Sequence, residues 1–92
     1  MKFLLNSKVE IISFRRVEEE NGAFVESSSS LGMFFCQIHI TKKLNEEILT
    51  LILRENEALK AGDFRVIFDG ETYNCLNVTE ITEGFLKIIC RK

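Results

Sequence analysis

The stretch that decides the fold is Phe64-Arg65-Val66-Ile67-Phe68-Asp69-Gly70-Glu71-Thr72-Tyr73-Asn74-Cys75-Leu76-Asn77-Val78. A run of β-branched and aromatic residues enters Asp69-Gly70, and a second such run leaves it. Asp-Gly suits a two-residue type I′ turn, which needs φ > 0 at both central positions; Gly adopts this freely and Asp tolerates it. A third run, FLKIICR over residues 85–91, follows Glu83-Gly84 and extends the hairpin into a meander.

Outward from this hairpin, the rest of the chain also reads as strands. Residues 8–17 (KVEIISFRRV) alternate, with Ile12 and Phe14 on one side and Val9 and Ile11 on the other. An acidic run, Glu18-Glu19-Glu20, leads into Asn21-Gly22, the strongest hairpin dipeptide. Residues 23–26 return briefly as a strand, and the four serines Ser27, Ser28, Ser29 and Ser30 read as a mobile loop. Residues 31–40 (LGMFFCQIHI) form a second long strand. Phe34, Cys36, Ile38 and Ile40 are its core face, because the other face carries the polar Gln37 and His39 beside Met33 and Phe35. Those two apolar side chains call for a covering partner or loop.

Residues 44–59 (LNEEILTLILRENEAL) fit two patterns. At helical spacing Leu44, Ile48, Leu51, Ile52 and Leu59 make a stripe, with Asn45 as N-cap and Gly62 as terminator. Residues 48–54 also make a compact apolar strand. The local pattern slightly favours the helix.

Size and composition bound the rest. Ninety-two residues make one domain, able to bury roughly 60–65% of its unfolded surface. Hydrophobic residues at 46% and charged residues at 28% exclude disorder of the whole chain. No proline is present, so a second domain on a stiff spacer is not expected. Twelve basic against fourteen acidic residues give a net charge of −2, which argues against a free-standing duplex-DNA binder. No apolar run is long enough for a helical membrane span, and Met1-Lys2-Phe3-Leu4-Leu5 is too short for a signal peptide. The chain is expected to be cytosolic where it is made and to have no membrane partner.

Chemistry is poorly provided for. Cys36, Cys75 and Cys90 stand far apart in apolar runs, with only His39 as a possible co-ligand, so no metal or other cofactor is expected. A lone strand histidine reads as a packing or interface residue. Gly22, Gly32, Gly62, Gly70 and Gly84 are scattered at expected turns and form no phosphate loop. Asn77-Val78-Thr79 matches a glycosylation acceptor only by accident of composition. No catalytic residues are assigned, and an enzyme is not expected. The basic residues Arg15, Arg16, Lys42, Lys43, Lys60, Arg65, Lys87, Arg91 and Lys92 would form a nucleic-acid surface if they converged on one rim, with Phe14, Phe35 and Tyr73 stacking bases. Ordinary surface charge interspersed with acids is the plainer reading.

The pattern R-V-I-F-D-G-E-T-Y-N-x-L-x-V-T…G-F-L-K-I-I-C-R-K resembles the C-terminal half of tailed-bacteriophage head–tail adaptor, or head-closure, proteins. Val9-Glu10-Ile11-Ile12-Ser13-Phe14-Arg15-Arg16 and Glu20-Asn21-Gly22-Ala23-Phe24-Val25-Glu26 are similar to the family's opening strand and first loop. The resemblance spans most of the chain and is strongest over residues 62–92. It implies a strand over residues 47–54, from the family's T-L-x-L-R segment, followed by a short helical turn over 56–61. Two departures stand out: Phe34-Phe35 where the family usually carries Trp, and little room in residues 41–47 for the family's usual insert.

The expected fold is therefore mainly β: a small antiparallel barrel or roll of five to six strands, with a mobile first loop and at most one short helix. The resemblance further implies a virion structural protein of the phage neck, assembled in the host bacterial cytoplasm. Such a protein forms a ring of its own copies between the portal/adaptor protein and a tail-completion protein, with passing contact to packaged DNA. Glu18, Glu19, Glu20, Asn21, Phe24, Ser27, Ser28, Ser29 and Ser30 are the expected partner-binding loop, and residues 41–47 are a second candidate. A small single-stranded nucleic-acid-binding barrel, or another non-catalytic interaction module, is the competing class.

Overall fold

A computed structural model describes residues 3–60, 62–82 and 84–92. Six strands follow one another along the chain: β1 (Ser7–Glu18), β2 (Phe24–Lys43), β3 (Glu46–Arg54), β4 (Phe64–Phe68), β5 (Glu71–Thr82) and β6 (Phe85–Arg91). A 3-10 turn (Glu57–Leu59) lies between β3 and β4. Every neighbouring pair is antiparallel, and the sheet closes on itself in the order β1-β2-β3-β6-β5-β4. The fold is a closed six-stranded barrel, mainly β, as expected.

The decisive hairpin forms as the sequence reads. Phe68 pairs with Glu71, leaving Asp69 (φ 52) and Gly70 (φ 74) as a two-residue turn with both residues left-handed, the type I′ signature. β3 is a strand, and its alternation is strict: Leu49, Leu51 and Leu53 are fully buried, while Ile48, Thr50 and Ile52 face outward. The helical stripe drawn through Leu51 and Ile52 thus mixes the two faces of one strand.

The core gathers Val9 and Ile11 of β1, Cys36 of β2, the three β3 leucines, Val66 of β4, and Leu86, Ile88 and Cys90 of β6. Each such aliphatic side chain contributes about 1.5–3 kcal/mol by leaving water. Leu59 enters the same core from the 3-10 turn, whose start is fixed by the Asn56 side chain accepting the Ala58 N–H at 2.9 Å. Phe34 and Ile38 pack against the core as expected of their face, whereas Ile40 is 41% exposed near the far end of β2.

Three expectations about the first half of the chain are corrected. The serine stretch is not a loop: Ser27, Ser28, Ser29 and Ser30 lie within β2 and pair with Arg15, Phe14, Ser13 and Ile12 of β1. Only residues 19–23 connect the two strands, so the expected mobile loop over 18–30 is mostly a paired β-ribbon. Secondly, Asn21-Gly22 is not a two-residue turn centre. Gly22 N–H donates to Glu19 O at 2.9 Å and Glu19 N–H to Ala23 O at 2.7 Å, so Glu20 and Asn21 are central and Gly22 (φ 83) takes the left-handed position after them. The Asn21 side chain secures this longer turn by accepting the Ala23 N–H. Thirdly, Gly32 sits at a β-bulge rather than a turn. Ile11 pairs with Gly32 and Ile12 with Ser30, so Leu31 is an extra residue in β2, accommodated by Gly32 at φ 99.

The expected turn at Glu83-Gly84 falls partly outside the described residues, which exclude Glu83; Gly84 has φ 84. The expected helical turn over 56–61 is confined to the 3-10 turn as far as the described residues go, Ala61 lying outside them.

Candidate interaction surfaces

The β1–β2 pairing continues past the barrel. β4 pairs with β1 only through residues 10–13, and β3 pairs with β2 only through residues 36–43. Residues 14–18 and 24–28 therefore form a two-stranded arm with no third strand beside it among the described residues. The molecule measures 51 × 34 × 20 Å as a result. Of the expected partner-binding residues, Glu18, Glu19, Glu20, Asn21 and Phe24 are exposed at the arm's tip, while Ser27–Ser30 form its shaft and root. Asp69 and Gly70 stand apart, at the β4–β5 turn.

The arm is braced where it leaves the barrel. Phe14 N–H donates to Asp63 O at 3.2 Å. The Arg65 guanidinium of β4 lies 3.9 Å from the centre of the Phe14 ring and 3.6 Å from a Glu26 carboxylate oxygen. Ser30 Oγ donates to Glu10 at 2.9 Å and accepts the Gly32 N–H, tying the bulge to β1. A groove at this root is lined by Arg15, Arg16, Glu26, Asp63, Arg65 and Asn74, among others.

At the other end of β2, a second polar cluster surrounds Glu47. The Tyr73 hydroxyl donates to Glu47 Oε2 at 2.8 Å, and Lys42 and Lys92 approach the same carboxylate at 3.5 and 3.7 Å. Lys92 also pairs with Glu71, and Arg91 with Glu46 at 3.3 Å. The Tyr73 hydrogen bond, followed by the two lysines, holds the Glu47 carboxyl below its ordinary range against a smaller opposing push from burial. This cluster includes the second expected partner segment, residues 41–47. That segment is not an open connection: β2 runs to Lys43, β3 starts at Glu46, and only Leu44 and Asn45 turn between them, with Leu44 fully exposed.

The basic residues line two separate grooves. Arg15, Arg16 and Arg65 gather at the arm root, and Lys42, Lys43, Arg91 and Lys92 beside Glu47, with Arg65 and Arg91 flanking Asn74 of β5. Lys60 is absorbed by Glu55, Glu57 and Glu80. The aromatic residues do not form a stacking row either. Tyr73 is buried with its hydroxyl on Glu47, Phe14 is covered by Arg65, and Phe35 lies under Lys8 Nζ at 5.0 Å. His39 is exposed opposite Thr50. Among the described residues no three His, Cys, Asp or Glu side chains stand close enough to hold a metal ion.

A third surface is apolar. Met33 and Phe35, exposed on the outer face of β2, lie near the segment before β1, where Leu4 is also exposed and its N–H donates to Gln37. Sequence reasoning singled out Met33 and Phe35. It missed the Glu47 cluster, because Glu47 and Tyr73 are 26 residues apart and only the closed barrel brings β3 and β5 to one end.

No protein-family model matches the sequence. No curated protein matches it either. Among solved structures, the fold is shared with a chain from the virion of a native gene transfer agent (GTA) particle. The TM-score is 0.72, over 94% of this chain and 92% of that one, at 14% sequence identity. At that identity the likeness is one of fold.

Proposed function

We propose that this chain is a structural virion protein of a phage-type neck. In this reading it forms a ring of its own copies between the portal/adaptor protein and a tail-completion protein, closes the head and offers the tail its docking surface. The observation that carries the proposal is the fold shared, nearly end to end on both chains, with a virion protein of a gene transfer agent particle. The sequence resemblance to head-closure proteins points the same way. The architecture suits the task. A closed barrel has no free edges around its core, so it serves as a stiff block. The arm, the exposed Leu44 and the Met33–Phe35 face remain outside that block as contact surfaces. Assembly would take place in the host bacterial cytoplasm, with packaged DNA touching the ring only in passing.

The test is quantitative mass spectrometry of particles purified after induction of the source. The expected result is this chain at low, fixed stoichiometry relative to the portal protein; its absence from particles would remove the proposal. A single-strand-binding barrel is the competing class, and the division of the basic residues between two grooves, the burial of Tyr73 and the cover of Arg65 over Phe14 weigh against it. Tight, salt-sensitive binding of short oligonucleotides by the free monomer in a gel shift would favour that class.

A further inference from the structure

The arm carries unlike charges at its two ends. At the tip, Glu18, Glu19 and Glu20 follow one another, and among the described residues none of them makes an ion pair. At the root, Arg15, Arg16 and Arg65 line the groove together with Glu26 and Asp63. Arg65 is shared with Glu26, while Arg15 and Arg16 are exposed and make no ion pair among the described residues. Tip and root belong to one paired ribbon. Seven steps separate Ser13 at the root from Glu20 at the tip, roughly 23 Å at about 3.3 Å each, while Arg16 stands midway, opposite Glu26 and two residues from Glu18. The tip carboxylates are open to another molecule, and this chain itself supplies a surface that carries unpaired arginines.

We propose that the acidic tip of the arm in one copy docks in the arginine-lined groove at the arm's root in the next copy. Phe24 pairs with Glu18 at the tip and is 63% exposed, which gives the contact an apolar anchor beside its charges. The two surfaces differ, so the contact is heterologous: each copy gives a tip and receives one, and the chain of contacts closes into a ring when the rotation per step allows. The proposal rests on the neck-ring reading and names the contact between its subunits.

The experiment is sedimentation velocity on the full chain at low salt, with two variants whose changes lie on exposed residues. One carries Glu18→Arg, Glu19→Arg and Glu20→Arg; the other carries Arg15→Glu and Arg16→Glu. The wild type should self-associate, and added salt should weaken it. Each variant alone should associate at least about tenfold more weakly. An equimolar mixture should recover association, because the reversed tip of one variant then meets the reversed groove of the other. Recovery in the mixture also shows that both variants are folded. Wild-type association that neither variant weakens would overturn the docking while leaving the ring reading to another surface. A wild type that stays monomeric at low salt and high concentration would overturn the docking and leave the ring reading to particle stoichiometry. Binding of a short thymidine oligonucleotide that is lost with Arg15→Glu and Arg16→Glu, while self-association persists, would assign the groove to nucleic acid and overturn the proposal.

Discussion

Tyr73 and Glu47 form one unit whose two halves titrate at opposite ends of the pH scale. Glu47, held low chiefly by the Tyr73 hydroxyl, stabilises the fold above the ordinary carboxylate range, and that contribution is lost as pH falls through its depressed value. Tyr73 is pushed up by burial first and by Glu47 second. Its contribution is therefore intact below the ordinary phenol value of about 10 and is lost as pH rises above it. In Tyr73→Phe the drop in urea midpoint between about pH 6 and about pH 3 should be shallower than in the wild type, and the alkaline drop attributable to this phenol should disappear. Equal slopes for both proteins would show that the hydrogen bond does not couple to folding. Thiol chemistry gives a second check at this scale. Burial pushes Cys36 up to about 11 and Cys90 up to about 12, and Cys75 is raised too, again chiefly by burial. At about pH 8 the folded protein should label with a thiol reagent on the order of a hundredfold more slowly than the urea-unfolded chain, with half-buried Cys75 reacting first. Rapid labelling of Cys36 or Cys90 in the folded state would contradict their place in the core.

At the scale of the element, the β4–β5 hairpin depends on two backbone angles. At Gly70, φ is 74 and nothing lies within 4 Å of an added Cβ, so Gly70→Ala tests backbone strain alone. It should lower stability by about 1–2 kcal/mol, read from the shift of the denaturation midpoint at unchanged slope. A neutral result would mean that the turn relaxes to another type. This hairpin was legible because the turn chemistry and the flanking alternation agree, each being local. β3 was less legible. Ile48 and Ile52 on its outer face are apolar like the inward leucines, so period 2 is blurred and a helical stripe can be drawn through Leu44, Ile48, Leu51 and Ile52. The resemblance resolved that ambiguity, and local pattern alone did not. The arm was the least legible element, and the reason is physical: residues 14–18 and 24–28 bury little, so no hydrophobic period marks them as strands. What fixes the serine stretch as a strand is the register with β1, maintained past the Leu31 bulge, together with the bracing of Phe14 by Arg65 and Asp63. The charge reading was similarly partial, since the arginines of β1 and β4 meet only because β4 closes the barrel against β1.

For the whole molecule, the consequence is a separation of labour between a barrel that folds and an arm that reaches. Every fully buried side chain lies outside residues 14–28. Ser13 and Ser29 are paired across the root, so Ser13 joined to Ser29 through an Asn-Gly turn would close the ribbon there. This variant keeps the Leu31–Gly32 bulge and the whole core. It loses the tip, the shaft, the Phe14 N–H bond to Asp63 O, and the Arg65–Phe14 and Arg65–Glu26 contacts. Those contacts are solvent-facing, and such pairs are each worth about 1 kcal/mol or less. The shortened chain should therefore unfold cooperatively, with a stability within about 2 kcal/mol of the wild type. In sedimentation velocity it should remain monomeric where the full chain associates, and it should be missing from particles assembled in its presence. If the arm were part of the folding unit, the variant would instead be insoluble or unfold without a cooperative transition. If the contacts between copies ran through the apolar outer face of β2 near Met33 and Phe35, the shortened chain would associate as the full chain does, and Phe35→Ser would be the change that abolishes it. The shortened chain and Phe35→Ser together thus locate the contact on the arm or on the barrel wall.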